Sequence, residues 1–533
     1  MQTSKLLKNK YYLYLTEFFA GMSVMAVELG ASRLLAPYFS SSQIVWTIII
    51  GTIMIAMALG NVWGGKSADK NPDPDRLYRR MIIAAVWIAA IPFLGKYIIL
   101  GISGLLIIAV NHNFLIWAAF LACMIIFVFP LFLLGTVTPS LVKYTVDSLD
   151  DSGRTVGTLG AFNTIGSIIG TFVPTFVTIP AVGTSVTFLI FAGILLLLGL
   201  IYFISVKRGK LACAVGIAAF AVLSVFSAAN RFAFWEDDLV YEGESIYNYL
   251  QVKENDKSVI LSTNVLFGVQ SIMMKEDSLT GMYYDYALAA PVLAGVPEKD
   301  AGSILVLGMG TGTFARQCRQ FFADVAIEGV EIDEKITDLA GKYFDLPSDI
   351  NVTTYDGRAY LNAVHEKYDV IMVDAYQDIT IPFQMSSKEF FTLVRDHLNE
   401  GGIMVVNMNM HTDKEGNINQ YLSDTIAGVF GNVCTAEVPG TTNRELFAAV
   451  DASVLENLSG KAEKLENPEL KAMMQTVSAG LTSYEKGDYL LTDDKAAVEL
   501  LGMQVIDELI NSEMGYYKEV FRSEGIAGLL KSM

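Results

Sequence analysis

The chain is poor in cysteine, and its few cysteines are not arranged in pairs. Cys123, Cys213, Cys318 and Cys434 lie far apart in a sequence of 533 residues, and none of them belongs to a Cys-x-x-Cys motif. A disulfide framework or a structural zinc site requires paired or clustered cysteines. The sequence therefore predicts neither disulfide bonds nor a metal site.

The C-terminal part lacks an excess of positive charge. Residues 1–230 contain 15 of the 38 Lys and Arg residues and 8 of the 56 Asp and Glu residues, which leaves 23 basic and 48 acidic residues in 231–533. Because nucleic-acid backbones attract clustered Lys and Arg, we expect no nucleic acid as a partner. The negative charge suits a cationic substrate, although many domains are acidic for solubility alone.

The N-terminal part contains long apolar runs. A membrane-spanning helix needs roughly 20 apolar residues because lipid cannot satisfy backbone hydrogen bonds. Seven segments fit, namely 14–36, 43–64, 81–100, 114–135, 157–180, 186–206 and 211–229. The shorter stretch 101–110 is open to interpretation as a re-entrant segment, an interfacial segment or part of an eighth span. We predict a multi-pass membrane bundle of seven or eight helices over 1–230, with a lipid bilayer as its partner.

Small and ionisable residues within these spans suggest packing and polar sites. The fifth span has small residues at helical spacing, which predicts close helix packing: Gly157, Gly160, Gly166 and Gly170. Ionisable residues at membrane depth often have a function, and three occur in or near the first span: Glu17, Glu28 and Arg33. The alternative for Glu28 and Arg33 is mutual neutralisation near a membrane face.

The C-terminal part has the pattern of an α/β protein. Residues 231–292 predict a small β region, and 293–452 alternate between strands and helices, as in a parallel sheet with crossover helices. The predicted strands are 303–307, 326–331, 350–355, 369–374 and 402–408, and the predicted helices are 312–322, 334–343, 357–364 and 386–398. Residues 453–533 are predicted to form a helical extension without recognisable chemistry.

A glycine-rich turn follows the first strand of this parallel sheet. Gly308, Gly310 and Gly312 alternate with Met309 and Thr311, so the backbone can turn sharply and approach a ligand closely. The following helix would present its N-terminus to the polar groups of that ligand. Thr313 stands where a dinucleotide-binding motif would have its last glycine, which favours an S-adenosyl ligand over NAD.

Acidic residues follow the next three strands. Glu331 is placed to bind the ribose hydroxyl groups, and Asp356, followed by Gly357, to meet the adenine amino group. Asp374 follows the fourth strand as a candidate general base, and a helix N-cap is the alternative role. Ligands bind at the carboxyl ends of strands in open α/β sheets, so we expect these side chains and the glycine turn to share one hollow.

These motifs, in this order, resemble the spermidine synthase (polyamine aminopropyltransferase) family, and most closely its bacterial membrane-fused branch. The resemblance covers nearly all of 12–450. In the membrane part it depends on segments 28–38 and 64–69, and in the C-terminal part on Gln270, Tyr283-Tyr284-Asp285, the glycine turn, segment 330–333, Asp356-Gly357-Arg358 and Asp374. It implies a Rossmann-like domain of the S-adenosylmethionine-methyltransferase type.

The resemblance also implies an activity and its residues. A putrescine-like amine would attack the aminopropyl group of decarboxylated S-adenosylmethionine, a co-substrate, and no tightly bound cofactor is implied. Asp374 would be the general base and Tyr283 would help to hold and deprotonate the amine. Gln270, Gly308, Gly310, Thr311, Gly312, Glu331, Asp356 and Gly357 would bind the co-substrate, and Asp285, Gln377 and Asp378 the amine. A homodimer is left open.

Two departures from the family pattern affect the charged ends of the substrates. Spermidine synthases have an Asp where this chain has Thr311 in the glycine turn, and a second Asp of an Asp-x-x-Asp motif where it has Gln377. Two other functions therefore stay open. One is an S-adenosylmethionine-dependent methyltransferase, and the other is a non-catalytic transporter or sensor for a polyamine or nucleoside.

The side of the membrane that carries the C-terminal part also stays open. With seven spans, the positive-inside rule places this part outside the cell, because all the basic loops then face the cytoplasm. With eight spans it lies in the cytoplasm, where the adenosyl co-substrate is supplied.

Overall fold

The chain divides into a helical unit and an α/β unit. The helical unit comprises Met1–Asp237, Glu242–Tyr249 and Tyr517–Met533, and the α/β unit comprises Asp238–Tyr241 and Leu250–Tyr516. The computed structural model describes residues 9–39, 42–110, 113–145, 152–229, 231–265, 268–322, 325–375, 381–409, 414–513, 515, 518–520 and 522–523.

The helical unit consists of long apolar helices. Its helices are α1 (Lys10–Phe39), α2 (Gln43–Lys70), α3 (Pro74–Ala109), α4 (Phe114–Gly135), α5 (Val137–Thr145), α6 (Ser152–Val173), α7 (Ile179–Val206) and α8 (Lys210–Ala228). Within the described ranges, six helical segments are long and apolar enough to cross a membrane. One of them, Ser152–Val206, contains two predicted spans, and the non-helical residue Gly183, with φ of 79°, lies between these spans.

The apolar stretch 101–110 is not a separate segment. It continues α3, which has 36 residues and ends at Ala109. At 1.5 Å per residue this helix is about 54 Å long, whereas the hydrocarbon core of a bilayer is about 30 Å thick. The interpretation as a re-entrant segment is wrong, because these residues continue the helix without a break. Their glycines do not end the helix, since glycine in a helix costs only about 1 kcal/mol.

Half of the predicted glycine face packs closely. A Cβ atom added at Gly166 or Gly170 would collide with the backbone of Phe18 or Met22 in α1, whereas one at Gly157 or Gly160 would meet no atom within 4 Å. Of these four glycines, Gly166 and Gly170 therefore lie against α1, and Gly157 and Gly160 do not.

Glu17 lies among polar side chains of this unit. Its side chain is buried, and Oε1 accepts hydrogen bonds from Thr138 Oγ1 at 2.5 Å and Asn163 Nδ2 at 2.9 Å. Arg33 donates to the carbonyl of Ile246.

The α/β region begins with a small sheet and two short helices. The strands β1 (Leu239–Glu244), β2 (Tyr249–Glu254), β3 (Ser258–Ser262) and β4 (Ser271–Met274) form a sheet in that order, in which β2, β3 and β4 pair antiparallel. The helices α9 (Tyr283–Ala287) and α10 (Ala289–Leu293) follow.

The main sheet has eight strands in the order β12-β10-β11-β9-β8-β5-β6-β7. They are β5 (Gly302–Leu307), β6 (Val325–Glu331), β7 (Asn351–Thr354), β8 (Tyr368–Val373), β9 (Leu398–Met408), β10 (Asn432–Glu437), β11 (Arg444–Ala449) and β12 (Thr482–Ser483). The helices are α11 (Thr313–Phe321), α12 (Glu334–Tyr343), α13 (Gly357–Ala363), α14 (Lys388–Asp396), α15 (Ile418–Phe430), α16 (Leu458–Ala462), α17 (Pro468–Gly480) and α18 (Val498–Glu513).

The parallel half of this sheet agrees with the sequence pattern. Strands β5 to β9 coincide with the five predicted strands and pair parallel, and α11 to α14 coincide with the four predicted helices. All six residues of β8 are buried, as expected for a strand covered on both faces. The Rossmann-like α/β domain is therefore confirmed.

The segment that follows β11 belongs to the same α/β unit as far as Tyr516. Strand β12 pairs with β10, and Leu470, Met474 and Val477 of α17 lie in the hydrophobic core beside the main sheet. Asp493 accepts hydrogen bonds from Arg358 at 2.7 and 2.6 Å and from Ser387 Oγ at 2.5 Å. These contacts join the C-terminal segment to the starts of α13 and α14.

Candidate active site

The glycine turn after β5 brings three segments together. Gly308 has φ of 78°, and a Cβ atom there would lie 2.5 Å from the Cα atom of Ala375. Gly310 has φ of 57°, and its Cβ atom would lie 2.4 Å from Ser271 Oγ. Both positions require glycine, for the left-handed backbone and for the space. The turn therefore lies directly against the end of β8 and the start of β4.

Thr311 and Thr313 connect the turn to β4. The Thr311 amide donates to Ser271 Oγ at 3.0 Å, and Thr313 Oγ1 bonds to both the amide and the carbonyl of Ile272 at 2.9 Å. Among the described residues, the buried hydroxyl of Thr311 has no hydrogen-bond partner. The Thr311 hydroxyl is thus a polar group that a ligand in the turn can use.

Glu331 ends β6 and contacts the same turn. Its Oε2 accepts from the Gly310 amide at 2.8 Å, and its Oε1 from the Asp333 amide at 3.0 Å. Burial raises the pKa of Glu331 to about 7, although these two hydrogen bonds oppose the shift. The predicted proximity of Glu331 to the glycine turn is confirmed, while its contact with a ribose stays a prediction.

Asp356 lies beyond β7 and caps α13. Its Oδ1 accepts from the Ala359 amide at 2.7 Å, and Gly357 begins the helix. Strands β8, β5, β6 and β7 are neighbours in that order and pair parallel, so the groups after their carboxyl ends lie along one edge of the sheet. An adenine-binding role for Asp356 stays a prediction.

Asp374, at the end of β8, is held by two side chains. Its Oδ2 accepts from the Tyr283 hydroxyl at 2.7 Å, and its Oδ1 from Asn407 Nδ2 at 2.9 Å. Burial raises the pKa of Asp374 to about 7 against the effect of both hydrogen bonds. Burial also raises the pKa of Tyr283, which keeps its hydroxyl protonated as a donor. The alternative role as a helix cap concerns the backbone amides after residue 375, which lie outside the described residues.

Two adjacent tyrosines connect the predicted residues. The rings of Tyr283 and Tyr284 are 4.0 Å apart at their centroids, and the Tyr284 hydroxyl donates to the carbonyl of Gln270 at 2.7 Å. Gln270 and Asp374 are thus linked through α9. The predicted residues Gln377 and Asp378 lie outside the described residues.

Asp285 has a structural role in these contacts. Its Oδ1 accepts from Thr280 and from Gln317 Nε2, and its Oδ2 accepts from the Gly281 amide. Both oxygens are therefore engaged in holding the loop before α9. These contacts do not support the predicted role of Asp285 in binding the amine.

The sequence interpretation missed Asn407, Asn443 and Glu445. Asn443 Nδ2 donates to Asn407 Oδ1 at 2.8 Å, and Asn407 in turn holds Asp374. Asn407 is near the end of a correctly predicted strand, as Asp374 is, so the same rule would have found it. The other two residues lie in or beside β11, a strand that was not predicted.

Comparison with known proteins places this site in a family. The family model described as the spermine/spermidine synthase domain matches residues 290–450. A protein of Bifidobacterium longum named probable polyamine aminopropyl transferase is 57% identical over 351 residues, which cover 63% of this chain and 78% of the relative. The chain belongs to the polyamine aminopropyltransferase family.

Two further matches each cover less than half of this chain. A polyamine aminopropyltransferase of Vibrio vulnificus is 24% identical over 235 residues, covering 42% of this chain and 76% of that protein. The crystal structure of a probable spermidine synthase from Corynebacterium glutamicum covers 47% of this chain and 98% of its own, at 17% identity and a TM-score of 0.37.

Proposed function

We propose that the chain is a membrane-anchored aminopropyltransferase that uses decarboxylated S-adenosylmethionine and a putrescine-like amine. The neutral amine nitrogen forms a bond to the aminopropyl carbon next to the sulfonium. The carbon–sulfur bond breaks, its electron pair stays on sulfur, and methylthioadenosine leaves. The proton lost by the attacking nitrogen passes to Asp374.

The environment of Asp374 carries this proposal. A general base works best when its pKa lies near the working pH, and burial raises the pKa of Asp374 to about 7. Tyr283 and Asn407 hold one oxygen each, which fixes the carboxylate at the sheet edge beside Gly308. Holding both reactants in a fixed orientation lowers the entropic part of the barrier.

The nucleoside part of the co-substrate would lie along the ends of β5, β6 and β7. The glycine turn allows close backbone approach, Glu331 supports ribose binding, and Asp356 supports adenine binding. Thr311 stands where the family has an Asp, and its hydroxyl has no hydrogen-bond partner among the described residues. It would offer a neutral hydrogen bond to the free amine of the donor.

The long apolar helices support a membrane location. Six helical segments of the described chain have the length and composition of membrane spans. We propose that they anchor the enzyme. Protease accessibility in sealed vesicles decides on which side of the membrane the α/β unit lies.

Product analysis tests the activity. The purified full-length protein is incubated with decarboxylated S-adenosylmethionine and putrescine, and separately with intact S-adenosylmethionine and the same amine. Mass spectrometry should detect methylthioadenosine and spermidine in the first reaction. Formation of S-adenosylhomocysteine in the second would instead establish a methyltransferase, and ligand binding without any product would establish a non-catalytic protein.

A further inference from the structure

Glu445 is a buried carboxyl group that the proposed chemistry does not yet use. Its side chain has 0% exposure, and neither of its oxygens has a hydrogen-bond partner among the described residues. Buried charges in proteins are normally paired, because an unpaired one costs several kcal/mol. A group of this kind indicates that a partner comes from outside the chain.

The strand register places Glu445 in the same row as the proposed base. Glu445 of β11 pairs with Asn407 of β9. Val373 and Val406 are paired between β8 and β9, so Asp374 and Asn407 are the next positions, and they are hydrogen-bonded at 2.9 Å. Paired residues point to the same face of a sheet. Two strand spacings separate the backbones of Asp374 and Glu445 by about 10 Å.

Among the described residues, none is hydrogen-bonded to the Glu445 carboxyl group as a counter-charge. Its cross-strand neighbour Asn407 donates its amide to Asp374 and accepts from Asn443 at its carbonyl oxygen. Burial first, and then the charge of Asp374, raises the pKa of Glu445 well above its usual range. A cation between Asp374 and Glu445 would stabilise the ionised forms of both carboxyl groups.

We propose that Glu445 binds the far ammonium group of a short aliphatic diamine whose reacting nitrogen lies at Asp374. This inference depends on the proposed aminopropyl transfer, and it assigns the binding of the second ammonium group to a residue of β11. The family has a second Asp where this chain has the uncharged Gln377. Glu445 then supplies the negative charge for the second ammonium group from a different position. Specificity for the acceptor comes from β11 in this chain.

A comparison of a diamine with a monoamine tests the role. Putrescine and n-butylamine have the same carbon chain, but only putrescine has the second ammonium group. In the full-length protein we expect Glu445→Gln to raise the KM for putrescine by about 10- to 100-fold, the usual range for a lost charge-assisted hydrogen bond. The KM for butylamine and the kcat at saturating putrescine should change by less than about threefold on the same basis.

Control variants separate a specific effect from a general one. Glu298→Gln alters an exposed glutamate that pairs with Lys464 at 2.7 Å, and it should leave both amines unaffected. Glu445→Asp keeps the charge and should recover part of the preference for putrescine. Equal losses for putrescine and butylamine in Glu445→Gln, or an unchanged preference for putrescine, would overturn the proposal.

A binding measurement distinguishes this proposal from the proposed function. Calorimetric titration of each amine into the protein with methylthioadenosine present reports affinity without turnover. The wild type should bind putrescine more tightly than butylamine, and Glu445→Gln should abolish the difference. If no reaction occurs but this pattern holds, the proposed transfer fails and the role of Glu445 stands. If the wild type binds both amines equally, the role of Glu445 is wrong.

Discussion

The helical unit and the α/β unit each bury a carboxyl group that accepts two hydrogen bonds from side chains. In the helical unit both donors, Thr138 and Asn163, bond to Oε1 of Glu17. In the α/β unit Tyr283 and Asn407 bond to different oxygens of Asp374. Burial is common to both groups. Of these two groups, Asp374 lies beside the glycine turn at the carboxyl edge of the parallel strands, and this position supports its proposed role as the base.

The largest effect is expected from removing the base. Asp374→Asn keeps the size of the side chain but cannot accept the proton, so we expect the transfer rate to fall by about 100- to 10,000-fold, the usual contribution of general base catalysis. Methylthioadenosine release under saturating substrates measures it. Asp396→Asn, at an exposed aspartate that pairs with Arg395, is the matched control and should keep the wild-type rate.

Thermal unfolding of Asp374→Asn shows whether a lost rate reflects misfolding. A carboxyl group whose pKa is raised in the folded state makes the protein less stable as the pH rises from the unfolded value to about 7. Above pH 7 the variant lacks this penalty and should melt at or above the wild-type temperature. A much lower melting temperature would remove the catalytic interpretation of the lost rate.

A smaller effect is expected at Tyr283. Its hydrogen bond lowers the pKa of Asp374, so Tyr283→Phe should raise that pKa above about 7 and reduce the ionised fraction at neutral pH. A rise of one pKa unit means about tenfold less base. The acid limb of the kcat/KM profile should move to higher pH, with activity recovering near pH 9. Tyr286→Phe in the same helix serves as the control, and an unshifted acid limb in Tyr283→Phe would contradict the assignment.

Gly310→Ala should weaken binding of the co-substrate. The residue has φ of 57°, and a Cβ atom would lie 2.4 Å from Ser271 Oγ, so the turn must move. A left-handed non-glycine residue costs about 1–2 kcal/mol, and we expect an increase of about tenfold in the KM for the co-substrate. Gly341→Ala, where nothing lies within 4 Å of the added atom, is the control. Equal effects of the two substitutions would argue against a ligand at the turn.

The smallest effect on transfer is expected at the other buried carboxyl group. Glu17→Gln preserves an acceptor oxygen for Thr138 and Asn163, and the transfer rate should stay close to that of the wild type, because no proposed step of the transfer uses Glu17. The same assay of methylthioadenosine release measures it. A large loss of rate would show that Glu17 contributes to the transfer, as we propose for Asp374. The contrast between Glu17 in the helical unit and Asp374 in the α/β unit would then be wrong.

The sequence predicted the parallel half of the sheet well and the antiparallel half poorly. Strands β5 to β9 were predictable because apolar runs end at polar residues such as Glu331 and Asp374. The place of Glu445 beside the site was not predictable, because it depends on the pairing of Glu445 with Asn407, which is 38 positions earlier in the chain. Glu445 follows Arg444 at the start of a short apolar segment, which is the pattern of an exposed strand end, and only the register places it beside the site.

In the helical unit, length was easier to predict than continuity. The apolar pattern located the long helices, but it suggested that 101–110 is a separate segment, whereas in the structure these residues continue α3. Likewise, four glycines of the fifth span predicted close helix packing, and of these four, Gly166 and Gly170 lie against α1. Helix contacts depend on crossing angles, which periodicity in one helix does not determine.

Asp493 connects the C-terminal segment to the edge of the sheet at which we propose that the nucleoside binds. Both carboxylate oxygens of Asp493 accept hydrogen bonds from Arg358, which is two residues after Asp356. Asp493 also accepts a hydrogen bond from Ser387, the N-cap residue of α14. A chain that ended soon after β11 would keep every residue assigned to the substrates. It would lose the hydrogen bonds of Asp493 to Arg358 and Ser387, next to the proposed adenine-binding residue Asp356. Soluble versions made for crystallography or screening should therefore retain the chain through α18.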